Sequence, residues 1–498
     1  MDDRNLPATS DLVSIRLTDN RQRIEELFRH CHDLKLQPWN YGSGLEHSAF
    51  SVYLDTLTDS GQESYMKATF RDLSPLLAGL DARITPDEVS RYFEGRGITT
   101  HPPSVLNSFE RAVKQILRGG IVIFIDGWDH VICYEMPGIP TRAVSEPVTE
   151  SVVFGPHNST IEDLHTNIGL LRNLLRTTKL KFESFYSGAE SDRQIVYGYL
   201  EGAVDPQTLA NFKTKMSRIG KQEILDTSYL EEWLEESTYS PFPQVRYTER
   251  PDVANAALLE GKIIVLVQGT PSILICPGLF VEFFTASEDY YQRTIYASLV
   301  RWLRIAAFVI ALTLPSLYIA LSTFHPELIP TVLLLAILDT REKIPFPAFV
   351  EALIMEFFFE LLREAGIRLP RPIGSAVSIV GALVVGQAAI QAKISSPIMV
   401  IVVALTGIAS FALPQYNLGI ALRILRFPLM LLAATLGGFG LMIGYFWILL
   451  HVSKLRVLGV PYLSSLMPMQ PGQLMRDFIF RAPVKLLMRS PRKRPYHE

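Results

Sequence analysis

Hydrophobic and polar positions divide the chain into an amino-terminal part with short β-rich runs and a carboxyl-terminal part with long apolar runs. In the first part, residues 121–134 and 263–276 each contain two β-rich runs around a glycine-containing turn, which predicts two hairpins. The strand-like residues 51–55 and 196–201 repeat at nearly the same spacing as the hairpins. Two repeated pairs indicate two copies of one α/β unit. The alternative is one larger α/β domain with two similar hairpins.

The second part contains four apolar runs long enough to cross a bilayer as helices. They are predicted at about residues 300–320, 374–391, 398–414 and 427–450. The run 329–338 is too short to cross alone, and residues 347–365 form a further amphipathic or membrane helix. The predicted fold class is therefore a multi-pass α-helical membrane domain preceded by a soluble α/β region of two similar subdomains.

The predicted domains follow this division of the chain. They are an N-terminal extension (1–40), two soluble α/β subdomains (41–145 and 146–290), a transmembrane domain (297–451) and a basic C-terminal tail (452–498). The first 30 residues lack an apolar stretch, so no cleavable signal peptide is predicted.

The helix predicted at 347–365 carries a charged stripe. At 100° per residue its charged side chains share a face about 100° wide, and they are Glu356, Glu360, Arg363 and Glu364. Carboxylates facing lipid would cost several kcal/mol, so the stripe must face water, a partner helix or the headgroup layer. Two alternatives stay open: an amphipathic helix in the interface, or a channel-lining or assembly face.

A stripe of small side chains marks the predicted span 374–391. Its members are Ser378, Ala382, Gly386 and Ala389, with Gln387 and Gln391 on the roughly opposite face. Such stripes are typical of close helix packing, and in a ring of identical subunits the face could border a narrow aqueous path. The face is therefore a candidate for the pore or for helix packing.

Basic residues predict which side of the membrane the chain ends face. Arg301 and Arg304 are expected to snorkel at the start of the first span, and Arg423 and Arg426 to sit at headgroup level. The tail is expected to lie on a cytoplasmic lipid surface through Arg481, Lys485, Arg489, Arg492, Lys493 and Arg494. Both signals favour cytoplasmic ends, which requires an even number of crossings. Whether 347–365 crosses therefore decides the topology, and the sequence leaves this open.

The charge distribution argues against a nucleic-acid partner. Residues 451–498 carry nine Lys or Arg and two acidic residues, whereas the whole chain has a net charge of −3. Since residues 297–450 are also cationic, residues 1–296 must be strongly acidic. An acidic folded part and a basic tail are typical of a membrane protein, and no nucleic-acid binding is predicted.

No catalytic or metal constellation is evident. Cys31, Cys133 and Cys276 are isolated, so neither a disulfide framework nor a zinc site is predicted. Asp126 and Asp129 flank a turn that favours Asp without chemistry. His157 and His165 lack an acid or Cys at ligand spacing. The chain is predicted not to be an enzyme, with no catalytic residues, metal or cofactor.

Long motifs of the chain resemble one family. Residues 345–390, with E-A-L-I-M-E-F-F-F-E-L-L-R-E-A, together with 395–406, 416–434 and S-P-F-P-Q-V-R-Y-T-E-R-P-D-V-A (240–254), resemble the A subunit of GerA-type spore germination receptors. The resemblance is strong over residues 120–455 and weaker over the first 100. The turn Gln268-Gly269-Thr270 departs from the Asp-Gly that is common in the family.

The resemblance implies a nutrient receptor subunit in the inner membrane of bacterial endospores, with its soluble region on the spore core side. Family members work with a transporter-like B subunit, which carries the nutrient site, and a lipoprotein C subunit. The A subunit is expected to form a homo-oligomer, a pentamer, whose ion channel releases monovalent cations. The alternatives are a non-conducting scaffold or signal-transducing subunit for the nutrient-binding partner, and a paralogous spore-stage membrane protein of the same family. The lack of an inverted repeat disfavours a secondary transporter.

Overall fold

The structure, a computed structural model, describes residues 11–41, 47–58, 103–135, 137–138, 147, 150, 152–220, 222–370, 381, 383–464 and 479–483. The chain divides into two compact units. The α/β unit holds the described residues up to Val152, Pro156–Leu234 and Tyr247–Cys276. The helical unit holds Val153–Gly155, Glu235–Arg246 and the described residues from Pro277 onward.

The first half of the α/β unit is built around a five-stranded antiparallel sheet in the order β1-β2-β4-β5-β3. Its elements are α1 (Leu17–Leu27), β1 (Leu34–Tyr41), β2 (His47–Leu54), β3 (Ser104–Leu106), α2 (Phe109–Ile116), β4 (Gly120–Ile125) and β5 (Val131–Glu135). Ser108 caps α2 by accepting a hydrogen bond from the Arg111 backbone N–H. Helix α1 and β1 belong to this half, so residues 17–40 are not the separate extension that was expected.

The second half repeats this arrangement. Its elements are α3 (Leu164–Leu174), β6 (Leu180–Ser187), β7 (Arg193–Leu200), α4 (Pro206–Ser217), α5 (Thr227–Leu234), β8 (Arg246–Thr248), α6 (Pro251–Leu259), β9 (Ile263–Val267) and β10 (Ile273–Cys276). The strand order is β6-β7-β9-β10-β8, which matches the first sheet position by position. Both predicted hairpins, β4-β5 and β9-β10, are confirmed. The repeated residues 51–55 and 196–201 fall in and just after β2 and β7, so the repeat read from the sequence is a repeat of topology.

Each sheet has its own apolar core. Phe28, Val52, Ile116 and Phe124 are among the buried residues of the first core. Leu171, Phe182, Val196 and Leu266 are among those of the second. Alternate side chains of each strand point to one face of the sheet, so the helices cover that face and shield the β-rich runs from water.

A buried ion pair joins the two halves. Arg172 in α3 donates two hydrogen bonds to the carboxylate of Asp33, from Nε at 2.5 Å and from Nη2 at 2.6 Å, and a third from Nη1 to the Leu180 carbonyl. The Thr56 hydroxyl also donates to Asp33. Burial opposes the charge of Asp33, but the adjacent guanidinium outweighs burial and lowers the pKa of this carboxyl. Both ionic groups are therefore saturated with partners.

Among its described residues, the helical unit contains two helices that are long and apolar enough to cross a membrane, by length and composition. Its helices are α7 (Glu288–Tyr291), α8 (Thr294–Thr323), α9 (Thr331–Arg341), α10 (Ala348–Arg368), α11 (Pro397–Phe411) and α12 (Tyr416–Lys454). The two long apolar helices are α8 and α12. A small hairpin, β11 (Arg456–Val457) and β12 (Val460–Pro461), follows α12.

Helix α12 is a helical hairpin. Gly437 has φ 61° and ψ −140°, a conformation outside the helix that breaks α12 into two halves. A Cβ on Gly440 would meet the Leu432 carbonyl, and one on Gly444 would meet the Leu429 side chain, so the halves run antiparallel. The single span predicted at 427–450 therefore straddles a reversal of the chain. Its apolar composition is the same on both sides of the turn, so periodicity did not reveal the break.

The other predicted spans are placed as follows. The predicted span 300–320 lies within α8. The predicted span 398–414 corresponds to α11, an apolar helix that is shorter than α8 and α12. The striped helix 347–365 is α10. In the span 374–391, residues 381 and 383–391 are helical, and the remainder lies outside the described residues.

Candidate functional site: charged side chains in the core of the helical unit

The charged stripe of α10 faces a partner helix at its buried end. Glu356 is 0% exposed, and its Oε2 accepts a hydrogen bond at 2.6 Å from Nη1 of Arg426 in α12, which is 1% exposed. Arg426 was expected at headgroup level and instead lies in the interior of the helical unit. An ion pair removed from water must be closely matched to offset its desolvation. This pairing accounts for a carboxylate in the middle of an apolar helix.

Arg426 also bonds to the backbone of a third helix. Its Nε donates to the carbonyl oxygen of Ala311 in α8 at 3.0 Å. Within a regular helix this carbonyl would accept from residue 315, but residue 315 is proline and has no N–H. One guanidinium, carried by α12, therefore bonds to both α8 and α10.

The remaining stripe residues are progressively more exposed. Glu360 pairs with Arg363 in its own helix and lies 3.7 Å from Nη1 of Arg423 in α12. Glu364 pairs with Arg368 at 2.6 Å, and both side chains are exposed. The stripe therefore passes from a buried interhelical pair to an exposed pair within the helix.

A second buried carboxylate was not found from the sequence. Glu351, 0% exposed, lies 3.2 Å from Nε of Arg341 at the end of α9 and accepts a hydrogen bond at 2.9 Å from the Ser396 backbone N–H. The Ser396 hydroxyl in turn caps α11 through the Met399 N–H. Glu351 is five residues before Glu356, about 140° around the helix, and so fell outside the stripe. The sequence marks Glu351 as an acidic residue among apolar neighbours in the first turn of α10.

These contacts define the helix directions. The start of α10 lies beside the start of α11 through Glu351 and Ser396, and Phe359 packs against Gly407 further along both helices, so α10 and α11 are parallel. Ala311 lies beside Arg426, and Phe324 lies beside Gly437, so α8 and the first half of α12 are also parallel. In contrast, Glu356 meets Arg426 and Glu360 meets Arg423, which makes α10 antiparallel to that half.

The small-residue face is described in part. Ser378 and Ala382 lie outside the described residues. Gly386 and Ala389 are buried, and a Cβ on Gly386 would lie 3.6 Å from Val400 Cγ1 of α11. Gln387 and Gln391 are exposed. Within one chain, Gly386 thus lies against α11, Ala389 is buried, and the two glutamines point away from the protein interior.

A third charged group lies at the start of α8. Asp289 accepts hydrogen bonds from Arg301 Nε at 3.0 Å and from Arg304 Nη1 at 2.8 Å. Both arginines are buried, whereas they were expected to snorkel; the carboxylate of Asp289 gives them a partner inside the protein. Trp302, between them, is exposed.

Among the predicted tail residues, the structure describes Arg481. This side chain is 5% exposed, and it donates to the Thr294 hydroxyl and the Tyr290 carbonyl, each at 2.9 Å. The neighbouring Phe480 ring contacts Trp302 edge to face. Arg481 was expected on the lipid surface and is instead buried against the start of α8, where it has hydrogen-bond acceptors. The other predicted tail residues lie outside the described residues: Lys485, Arg489, Arg492, Lys493 and Arg494.

Among the described residues of the α/β unit, the polar side chains singled out from the sequence do not converge on a site. Asp126 accepts a weak hydrogen bond from the Leu17 N–H, and Asp129 pairs with its neighbour His130. His165 lies 3.7 Å from Asp55 with its side chain half exposed. Burial raises the pKa of the thiols of Cys133 and Cys276 to about 12. Within the described residues, no group of three or more His, Cys, Asp or Glu could hold a metal ion.

Comparison with known proteins identifies the family. Residues 22–493 match the model of the "Bacillus/Clostridium GerA spore germination protein" family. Among curated relatives, "Spore germination protein KA" of Bacillus subtilis (strain 168) is 44% identical over 76% of this chain and 69% of its own length. "Spore germination protein A1" of the same organism is 36% identical over 83% and 84%. The chain therefore belongs to the GerA family, in agreement with the resemblance to A subunits.

One more curated relative and one solved structure are also similar to this chain. The "Uncharacterized membrane protein YfkQ" of Bacillus subtilis (strain 168) is 40% identical over 96% of this chain and 91% of its own length. The crystal structure of the N-terminal domain of the A subunit of the Bacillus megaterium spore germinant receptor GerK3 matches 56% of this chain and 99% of its own, with 22% identity and a TM-score of 0.42.

Proposed function

We propose that this chain is the A subunit of a nutrient germinant receptor in the spore inner membrane, where it forms a pentameric channel for monovalent cations. The observation that carries the proposal is the buried Glu356–Arg426 pair, because ionisable residues held inside a bundle of apolar helices are typical of ion pathways and gates. The family membership supports the receptor role. The transporter-like B subunit and the lipoprotein C subunit are the proposed partners.

The helix directions support six membrane crossings. Since α10 and α11 are parallel, the chain between them must return across the membrane once. The proposed crossings are α8, α10, the span predicted from the sequence at 374–391, α11 and the two halves of α12. An even number puts both ends of the helical unit on one side of the membrane, and we propose that this is the spore core side. Two contacts support ends on one side, because each joins a residue before α8 to the end of α12 or the chain after it. The Ser240 hydroxyl lies 2.8 Å from His451 Nε2 at the end of α12, and the Phe280 N–H donates to the Tyr462 carbonyl.

The exposed glutamines supply a candidate pore surface. Gln387 and Gln391 lie one helical turn apart and are exposed in the single chain, whereas Gly386 and Ala389 pack inward. In a ring of subunits, a carboxamide face could replace part of the hydration shell of a cation without fixing it by charge. The small-residue face is proposed to hold this helix against α11 through Gly386, whose Cβ position lies beside Val400.

Substitution of the two faces tests this assignment. Spores carrying Gln387→Leu or Gln391→Leu should assemble the receptor normally and release potassium more slowly when given a mixture of amino acids and hexoses. Gly386→Leu should lower the amount of assembled receptor because its side chain would press on Val400. Gly386→Ala is the matched control, since its Cβ has ordinary contact distance. If the glutamine variants release potassium at the normal rate, the pore assignment is wrong.

Two observations favour other functions. The inward packing of Gly386 and Ala389 suits a non-conducting scaffold that holds the partner subunits. The match to the uncharacterised membrane protein over nearly the whole chain suits a paralogous spore-stage membrane protein. Potassium release from vesicles that contain the purified chain separates these two functions from a channel. A scaffold would release no potassium in any condition.

A further inference from the structure

The proline site of α8 depends on a side chain from another helix. Pro315 removes the N–H that would bond to the Ala311 carbonyl, and Ala311 is fully buried. An unpaired carbonyl away from water is costly, so buried backbone oxygens nearly always have a donor. The donor here is Arg426 Nε, 3.0 Å away.

The same guanidinium is held by a carboxylate from a third helix. Arg426 Nη1 bonds to Glu356 Oε2 at 2.6 Å, and both side chains are almost completely buried. Since the guanidinium is planar, its Nε and Nη1 donors are fixed relative to each other. A shift of Glu356 with α10 therefore changes the donor available to the Ala311 carbonyl.

We infer that Arg426 is a positioning residue that substitutes for the missing N–H of Pro315 and couples the shape of α8 to the position of α10. The coupling is a property of the fold and is measurable without ion transport. Its consequence for gating rests on the proposed channel: loss of the coupling should release α8 from its resting shape and let potassium leak without nutrient.

A double-mutant cycle tests the substitution. Pro315→Ala restores an N–H at residue 315, so it should reduce the dependence of α8 on Arg426. Arg426→Lys retains a positive charge for Glu356 but lacks the Nε donor, and it is the milder variant. Arg426→Gln also removes the ion pair. Each Arg426 variant is made alone and in combination with Pro315→Ala, in the full-length chain purified with any subunits that copurify.

The readout is the midpoint of thermal unfolding in detergent. In the wild-type background, Arg426→Gln should lower the midpoint by about 10 °C because Glu356 is left unpaired, and Arg426→Lys should lower it by about 4 °C. In the Pro315→Ala background, the loss from Arg426→Lys should fall to half or less. Arg423→Gln is the matched control: Arg423 Nε bonds within its own helix to Gly419, so its effect should be the same in both backgrounds.

Equal losses from Arg426→Lys in the two backgrounds would overturn the inference. If Arg426→Gln does not yield protein, the Arg426→Lys cycle alone decides. Spores carrying Arg426→Lys should lose potassium without nutrient, and Pro315→Ala should reduce that loss. If the Arg426→Lys loss shrinks in the Pro315→Ala background while the spores keep their potassium and the glutamine variants behave as wild type, the positioning role stands and the channel is rejected. Failure of this inference and failure of the proposed function are therefore distinguishable.

Discussion

The α/β unit and the helical unit each contain an Arg–carboxylate pair that is almost fully buried and joins distant segments, but the two pairs are built differently. Arg172 binds Asp33 through two nitrogens, and a threonine hydroxyl and a backbone carbonyl complete the partners. Arg426 binds Glu356 through one nitrogen, and Arg426 Nη2 and Glu356 Oε1 have no hydrogen-bond partner among the described residues. A saturated pair suits a fixed joint, whereas an incompletely bonded pair suits a joint with more than one arrangement.

The position of each pair agrees with this contrast. Asp33–Arg172 joins two copies of one fold, where Gly169 also packs so closely that a Cβ would meet the Thr56 carbonyl. Glu356–Arg426 joins three helices at a proline. The comparison predicts that the α/β halves move as one body and that adjustment is concentrated in the helical unit.

The largest expected effect is at the saturated joint. Arg172→Ala would leave Asp33 buried without a counter-ion, which should lower the unfolding free energy of the α/β unit by about 4 kcal/mol. Hydrogen exchange of β2 and β6 in the full-length protein measures the loss. Arg176→Ala is the control, because Arg176 is exposed and bonds to Asn173, three residues earlier in the chain. A loss of unfolding free energy under about 1 kcal/mol, as at an exposed ion pair, would contradict a fixed role for the Asp33–Arg172 pair and thus its contrast with Glu356–Arg426.

The next effect concerns the turn of the helical hairpin. Gly437→Val places a β-branched side chain at positive φ and brings its Cβ to 2.8 Å from Phe324 Cβ, which should destabilise the helical unit by about 3 kcal/mol. Thermal unfolding in detergent measures it. Gly419→Ala, whose Cβ would have ordinary contact with Ser410, should be neutral or stabilising. Equal behaviour of the two variants would mean that α12 continues through Gly437.

A smaller, graded effect is expected from pH at the saturated joint. The pKa of Asp33 is lowered in the fold from its ordinary value of 3.8, so its stabilisation is present above that value. Below it, the advantage of the wild type over Asp33→Asn should fall by about 1.4 kcal/mol per pH unit until the folded pKa is reached. Urea unfolding of both proteins across this range gives the slope. A constant difference at all pH values would contradict a charged Asp33.

The smallest effect is expected from His325, which lies at the turn of the helical hairpin. His325 Nε2 accepts a hydrogen bond from the Gly438 N–H, the first donor after the break in α12. His325→Ala should destabilise the helical unit by about 1 kcal/mol. Gln retains an acceptor, so His325→Gln should recover part of the loss in the same thermal measurement. A larger loss for Gln than for Ala would argue against this cap.

Much of the α/β unit could be predicted from the sequence because its signals are local. Hairpins 121–134 and 263–276 follow from β-rich runs around turns, and their common spacing revealed the repeat. The joint between the copies could not be predicted, since Asp33 and Arg172 lie 139 residues apart and neither belongs to a motif.

In the helical unit the sequence alone determined the apolar composition, the charged stripe and the small-residue face, because each is a pattern within one helix. The tertiary structure decided what those patterns contact. It placed Arg426 against Glu356 and Ala311, turned the single predicted span 427–450 into a hairpin at Gly437, and directed Gly386 toward α11. The physical reason is that a buried charge needs a counter-ion and a glycine in a helix allows close packing. In both cases the partner comes from a distant segment of the chain, so only the tertiary structure identifies it.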